Sequence, residues 1–346
     1  LALMLILSLD AVFVGMESQI TAYIDSTGAD VFVAQSGVQN MHMASSALPA
    51  STARLVERVE GVSEVTPIRY VANTISVEER EFIAYVIGVP RGAGMGRPRS
   101  VVEGTAEIGA GDAILDGPAA RAAAAVGDTV RILGRDFRVA GMSRGLGSIF
   151  SSIAVVPIDE FPTYGNPDGV SFLLVRGAPG TSADALAARI ERDVADVTAT
   201  TRVTFGRQEI KVINDMATDI VAIMNLVGFV IGLAVMALTV YTATVARRSE
   251  YGLLKALGAR TSALCRSVLA QAAITVALGL LAGVAFTLLV AIAAPRLDVQ
   301  LALALNAASI AKAGAVYLLI VALAAVLPIV QIAGIDPAVV FRRKVA

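Results

Sequence analysis

Hydrophobic and polar positions change rhythm twice along the chain. Residues 1–16, LALMLILSLDAVFVGM, are almost continuously apolar. From about residue 24 to residue 214, short apolar stretches alternate with polar ones and are punctuated by Gly, Pro and Asp. Three long apolar runs then return at 220–243, 267–294 and 310–333. Crossing about 30 Å of hydrocarbon as a helix takes roughly 20 apolar residues, and each of the three runs is long enough. The first has one amide and no charge, the second one glutamine, and the third one lysine, Lys312, near its outer end. The chain opens on Leu inside an apolar run, so 1–22 is expected to be the later part of another membrane helix. A cleaved signal peptide is the rival, and the A-x-A-like site it needs is absent. The pattern therefore predicts four transmembrane α-helices with a large α/β extracytoplasmic domain, residues 23–214, between helices one and two. Residues 215–346 then hold the other three helices.

Inside 23–214 the local periods are readable. PASTARLVERVEGVSEVTPI predicts a helix with Ala53, Val56 and Val59 at helical spacing, stopped at Gly61 and followed by a strand. FIAYVIGV and VSFLLVRG read as strands, and SADALAARIERDV as an amphipathic helix with Ser182 as N-cap. Residues from about 100 to 165 differ: GDTVRILGRDFRVAGMSR and SSIAVVPI are short strands between turns, with one small helix around DGPAARAAAAV. This stretch is expected to be a β-rich subdomain inserted into an α/β domain.

Charge sets the orientation. A hydrophobic content of 56% with 16% charged residues suits a membrane protein, and the net charge of −1 gives no nucleic-acid signal. Short loops rich in Lys and Arg stay in the cytoplasm. The second and third helices are joined by a segment holding Arg247, Arg248, Lys255, Arg260 and Arg266 against Glu250, and the tail carries Arg342, Arg343 and Lys344. Both are expected on the cytoplasmic side of a bacterial plasma membrane, which puts the N-terminus there too and residues 24–214 outside.

Candidate chemistry is sparse. One cysteine, Cys265, and one histidine, His42, give no disulfide framework, no multi-cysteine zinc site and no His-paired metal site. No G-x-x-x-x-G-K-[ST] or H-E-x-x-H occurs, so ATP hydrolysis by this chain is not expected. His42 lies in a polar, Met-rich stretch and reads as loop surface. The run GAGMG at Gly92 to Gly96 is followed by RPRS rather than a helix and reads as a flexible connector. Asp10 either lines a transport path or helix contact, or marks the outer end of the first segment. Gly228 and Gly232 form a G-x-x-x-G pair in the second helix, and Gly279 and Gly283 another in the third. Such spacing suits close helix packing, and the first pair is the expected seam.

The segment RRSEYGLLKALGARTSAL, 247–264, carries the strongest local signal. Leu253, Leu254 and Leu257 make an apolar stripe at helical spacing, flanked by charge and ended by Gly258. That predicts a short amphipathic helix, suited to a soluble partner or to anionic headgroups. The segment resembles the signature of FtsX-like permeases, Arg-Arg-x-Glu followed by Gly-Leu-x-Lys/Arg-Ala-x-Gly. Arg247, Arg248, Glu250, Gly252, Leu253, Leu254, Lys255, Ala256, Leu257 and Gly258 match it, and Tyr251 stands where isoleucine is usual. The tail DPAVVFRR, with Asp336, Pro337, Arg342 and Arg343, is similar to the ending of these permeases. The order of the outer segments is MacB-like, through Val59 to Val62, the Val-Gly-Asp-Thr-Val step at 126–130 and the VVPI strand.

The resemblance implies the permease subunit of an ABC transporter of the MacB/FtsX type, most similar in layout to the DevC-like members without a fused ATPase. It implies that 247–258 contacts the ATPase, that ATP and Mg are bound by that partner, and that this chain carries no cofactor, metal or catalytic residue of its own. It further implies two ATPase copies and a second permease chain, identical or closely paralogous. An extracytoplasmic partner protein would be optional. Closure of the ATPases would move the outer domains by mechanotransmission, for export or extraction of a substrate. An FtsX-like transmitter that regulates a cell-wall hydrolase is the alternative within the same family, and a membrane-anchored receptor without ATPase the alternative outside it.

Overall fold

A computed structural model describes residues 11–12, 15, 19–147, 152–161, 169–293 and 307–333. The tail residues Asp336, Pro337, Arg342 and Arg343, most of the first apolar segment and Asp10 lie outside these. One compact unit is built on Met16–Met216 and another on Ala217–Arg296 with Ala302–Ala346.

In chain order the described elements are α1 (Ala22–Ser26), β1 (Val31–Gln35), β2 (Leu48–Pro49), α2 (Ser51–Glu57), β3 (Val62–Val77), β4 (Arg80–Val89), β5 (Val101–Gly104) and β6 (Asp112–Asp116). They continue with α3 (Pro118–Ala123), β7 (Thr129–Ile132), β8 (Arg135–Ser143), β9 (Ser152–Pro157), β10 (Gly169–Val170), β11 (Phe172–Gly177), α4 (Ala183–Asp193) and β12 (Val197–Thr201). Four helices follow: α5 (Arg202–Ala246), α6 (Arg248–Ala256), α7 (Thr261–Ala293) and α8 (Ala307–Ala333).

The N-terminal unit is α/β, organised by the 16-residue strand β3. Its first half pairs with β11, in a sheet ordered β12-β1-β11-β3. Its second half pairs with β4, and the ladder runs on through β9, β6 and β8. Because β7 pairs with both β8 and β3, these six strands close on themselves. Closure removes the exposed edges an open sheet would leave. The small barrel is filled by Ile75, Phe82, Leu115, Val130, Phe137 and Val156 among others. Its β7–β8 hairpin turns through Leu133 and Gly134, both at positive φ (53° and 79°), the backbone that a two-residue turn needs. The β-rich part thus draws in the second half of β3 and all of β4 as well as the strands after residue 100.

The open half is buried on both faces. Val31 and Val33 of β1, with Leu173 and Val175 of β11, pack under α2 and α4 through Val56, Leu186 and Ile190. The alternate residues Phe32, Ala34, Phe172 and Leu174 turn to the other face and meet Ile24 of α1, Met41, Met95 and Phe205 of α5. This period of two places every second side chain in one core or the other. Ser182 sits at the N-cap of α4, as expected, but makes no side-chain cap bond. The GAGMG connector is pinned rather than flexible: the Tyr23 hydroxyl donates to Gly96 O at 3.1 Å, Gly96 N–H donates to Thr27 O at 3.0 Å, and Met95 is buried.

Among the described residues of the C-terminal unit, three helices are long and apolar enough to cross a membrane: Ala222–Ala246, Thr261–Val290 and Ile310–Gln331. Phe229, Leu233, Met236 and Val240 of α5 meet Val316, Tyr317, Ile320 and Val321 of α8, and Leu280 and Val284 of α7 meet Ala313 and Tyr317.

Candidate functional site

The basic segment forms α6, nine residues from Arg248 to Ala256 with Arg247 at the N-cap. Glu250 lies in its first turn and Lys255 in its last, each with the sign the helix dipole favours there. The C-terminus closes through two bonds, Ala259 N–H to Leu254 O at 2.9 Å and Gly258 N–H to Lys255 O at 3.0 Å. Gly258 has φ +94°, so this is the six-to-one, five-to-two closure that glycine permits.

The two faces of α6 are unlike. Tyr251 and Gly252 are buried, and Tyr251 packs on Val240 of α5 and Leu264 of α7, anchoring α6 to the helices it connects. The departure from isoleucine at Tyr251 therefore faces this chain. Leu253 and Leu254 are about half exposed, and Leu257 is 77% exposed. Arg247, Arg248, Glu250, Ala256, Arg260 and Arg266 are exposed around them. An exposed leucine cluster ringed by charge, on a helix fixed from behind, suits insertion into another protein's groove.

Gly228 and Gly232 are both buried, one turn apart and beside the α5 face that meets α8. Gly279 of α7 faces Tyr317 of α8, at 3.6 Å from an added Cβ to the phenol oxygen. Four hydroxyls in these helices donate along their own helix: Thr239, Thr244, Thr275 and Thr287 each donate to the carbonyl four residues back, at 2.7–2.9 Å.

A second constellation lies in the N-terminal unit. The N-terminus of α5 is capped by Thr201, whose hydroxyl accepts from Thr204 N–H at 3.3 Å, and is tied back by Arg202 to Asp25 at 2.6 Å. One turn on, Phe205 stacks on Phe32 (4.7 Å, 7°). One turn further on the same face, Glu209 is fully buried. Its carboxylate accepts from Met41 N–H at 2.7 Å, from His42 N–H at 3.0 Å, and from the His42 ring through Nδ1. A carboxylate in a core is tolerated only with such donors.

His42 is consequently not loop surface. Its ring is mostly buried, edge-on to Tyr85 (4.5 Å) and Tyr70 (6.0 Å), which stack on each other at 5.4 Å. The sequence offers little warning, because the acid that holds His42 is 167 residues away. The one signal is Glu209 falling four residues after Phe205, on the face of α5 that packs inward. Burial, then the charges of Tyr85 and Glu209, pushes the Tyr70 hydroxyl well above its usual range, and burial does the same to Tyr23. Burial followed by Glu209 raises Tyr85. Among the described residues, no group of three His, Cys, Asp or Glu side chains could hold a metal ion.

A family model described as the MacB-like periplasmic core domain matches residues 1–193, and one described as the FtsX-like permease C-terminal region matches residues 222–337. Among solved structures, the periplasmic region of MacB from Actinobacillus actinomycetemcomitans is similar at 16% identity and TM-score 0.40, over 54% of this chain and 94% of that one. The extracellular domain of the noncanonic ABC-type transporter YknZ from Gram-positive bacteria is similar at 14% identity and TM-score 0.38, over 50% of this chain and 98% of that one. Among curated proteins none matches.

Proposed function

Since the chain belongs to the FtsX/MacB type of ABC permeases, we propose that it is the permease subunit through which a separate ATPase moves an extracytoplasmic domain. In this reading the segment before residue 22 is a first span, and the α/β unit lies outside the cytoplasmic membrane between spans one and two. Both termini and α6 face the cytoplasm, as the arginines at 247, 248, 260 and 266 favour. ATP and Mg are bound by the partner, two ATPase copies serving two permease chains. The substrate is handled at the outer face and is not carried through the helices.

The observation that carries this is α6: a helix fixed to its own chain by Tyr251 while presenting Leu253, Leu254 and Leu257 to its surroundings. A partner that closes on ATP and grips those leucines would move α6 and the helices it joins together.

The test is co-purification of the full chain with the ATPase encoded beside it, comparing wild type with Glu250→Lys plus Leu254→Asp and recording ATP turnover. Loss of assembly or of coupling in the double variant is expected. An ATPase that never associates with the wild type would sink the proposal and favour an anchored receptor.

A further inference from the structure

Beyond the Thr201 cap and the Arg202–Asp25 pair, two contacts hold the first turns of α5, one turn apart and unlike in kind. Phe205 lies between Phe32 of β1 and Phe172 of β11, with centroids at 4.7 and 5.9 Å. That contact is apolar packing of rings and carries no hydrogen bond. Glu209 instead holds three donors from one stretch of chain, the loop between β1 and β2, in fixed directions.

The same loop is tied to the rest of the unit. Met41 is buried in the core formed with Phe32 and Ile68, and Ser46 and Ala47 bond Gln35 at 3.0 and 3.2 Å. The His42 ring lies edge-on to Tyr85, which stands on the barrel strand β4 but packs against the core shared with Phe32 and Met41. Glu209 is thus the polar link from α5 to the loop, and His42 the link from the loop to the barrel half.

Two buried atoms near this link have no hydrogen-bond partner among the described residues, Tyr70 Oη and Gln208 Oε1. Unsatisfied buried groups are uncommon in native structures and ask for an explanation. Tyr70 neighbours the His42 ring, and Gln208 precedes Glu209 in α5.

We propose that Glu209 is a positioning residue for coupling: its buried carboxylate clasps the 36–47 loop so that displacement of α5 moves the loop and the Tyr70–Tyr85 pair. This rests on the permease reading above, in which α5 is driven from its later turns.

Hydrogen exchange tests it on the full chain with its ATPase in lipid discs, without nucleotide and with ATP trapped by vanadate. Wild type should show a nucleotide-dependent change at both 248–256 and 36–47. In Glu209→Gln one of the two accepting oxygens becomes an NH2 that meets donors with a donor. Exchange at Met41 and His42 should then rise about tenfold or more in both states, and the nucleotide effect at 36–47 should vanish while that at 248–256 persists. Unchanged protection of β6 and β8 separates this from general unfolding. Should Glu209→Gln unfold the unit, His42→Ala, which keeps both backbone bonds, is expected to shrink the nucleotide effect at 36–47 at least threefold. A full nucleotide effect at 36–47 in a folded Glu209→Gln or His42→Ala chain overturns the clasp and leaves the permease reading standing. So does a wild type that responds at 248–256 alone. A wild type that responds at neither place overturns both.

Discussion

The two units of this chain treat apolar side chains in opposite ways. In the N-terminal unit Phe32, Phe137, Phe172 and Phe205 are each at most 2% exposed, and its sheet is covered on both faces or closed into a barrel. In the helical unit Leu238, Leu281 and Val330 are each more than 60% exposed, although the helices there are the most apolar part of the chain. The first unit must exclude water by itself. The second has a surrounding that need not be excluded, because lipid tails are as apolar as leucine. Exposure of leucine therefore means nothing along a membrane span and a great deal on α6, where the flanking residues are charged.

That contrast is tested most severely by equivalent truncations. Phe137→Ala in the barrel core should destabilise the N-terminal unit by about 3–5 kcal/mol, read as a large drop in its unfolding midpoint. Leu238→Ala in α5 should change stability by less than about 0.5 kcal/mol in lipid. Equal losses at the two sites would mean that the helical unit builds a protein core of its own and the contrast is false.

A smaller effect comes from alkaline pH, in the N-terminal unit. Tyr23 and Tyr70 are held neutral by burial, while an unfolded tyrosine ionises near pH 10. A raised folded value means this contribution is complete below that pH and is lost as pH climbs above it. Stability should fall by about 1.4 kcal/mol per pH unit for each such tyrosine. Tyr70→Phe should flatten part of the slope at little cost near neutrality, since the Tyr70 hydroxyl has no hydrogen-bond partner among the described residues. An unchanged slope in that variant would show that Tyr70 ionises freely in the folded state.

How much of this could be read in advance follows from how local each signal is. The helix through Val56, the amphipathic α4 and the strands at 82–89 and 172–177 depend on neighbours within a few residues, and periodicity found them. Barrel closure depends on β3 pairing with β11 in one half and β4 in the other, and no period in a strand announces a change of partner. His42 and Glu209 belong to the same class, since the loop looks polar and solvated until the acid from α5 is placed beneath it. The exposed leucines and the glycine closure of α6 were legible because a cap and a stripe are written within one dozen residues.

Within α6 the closure can be separated from the face. Gly258→Ala forces an L side chain into φ +94° with nothing within 4 Å of its Cβ, so the cost is conformational alone, about 1–2 kcal/mol. It should fray the last turn, seen as faster exchange at Leu257 to Ala259, and should weaken ATPase coupling only as far as the turn is lost.

Leu257→Asp should have the smallest effect on folding and decides what the exposed leucines are for. With 77% of the side chain already exposed, replacing it removes almost no internal packing, and stability should move by less than about 0.5 kcal/mol. If α6 inserts into a partner, the same change places a carboxylate in a desolvated groove and should weaken ATPase association tenfold or more. If α6 only rests among anionic headgroups, the ATPase is indifferent, and an added negative charge weakens membrane contact instead. Association of the ATPase with wild type and with Leu257→Asp, at matched expression, therefore separates a coupling helix from a helix that lies on the membrane.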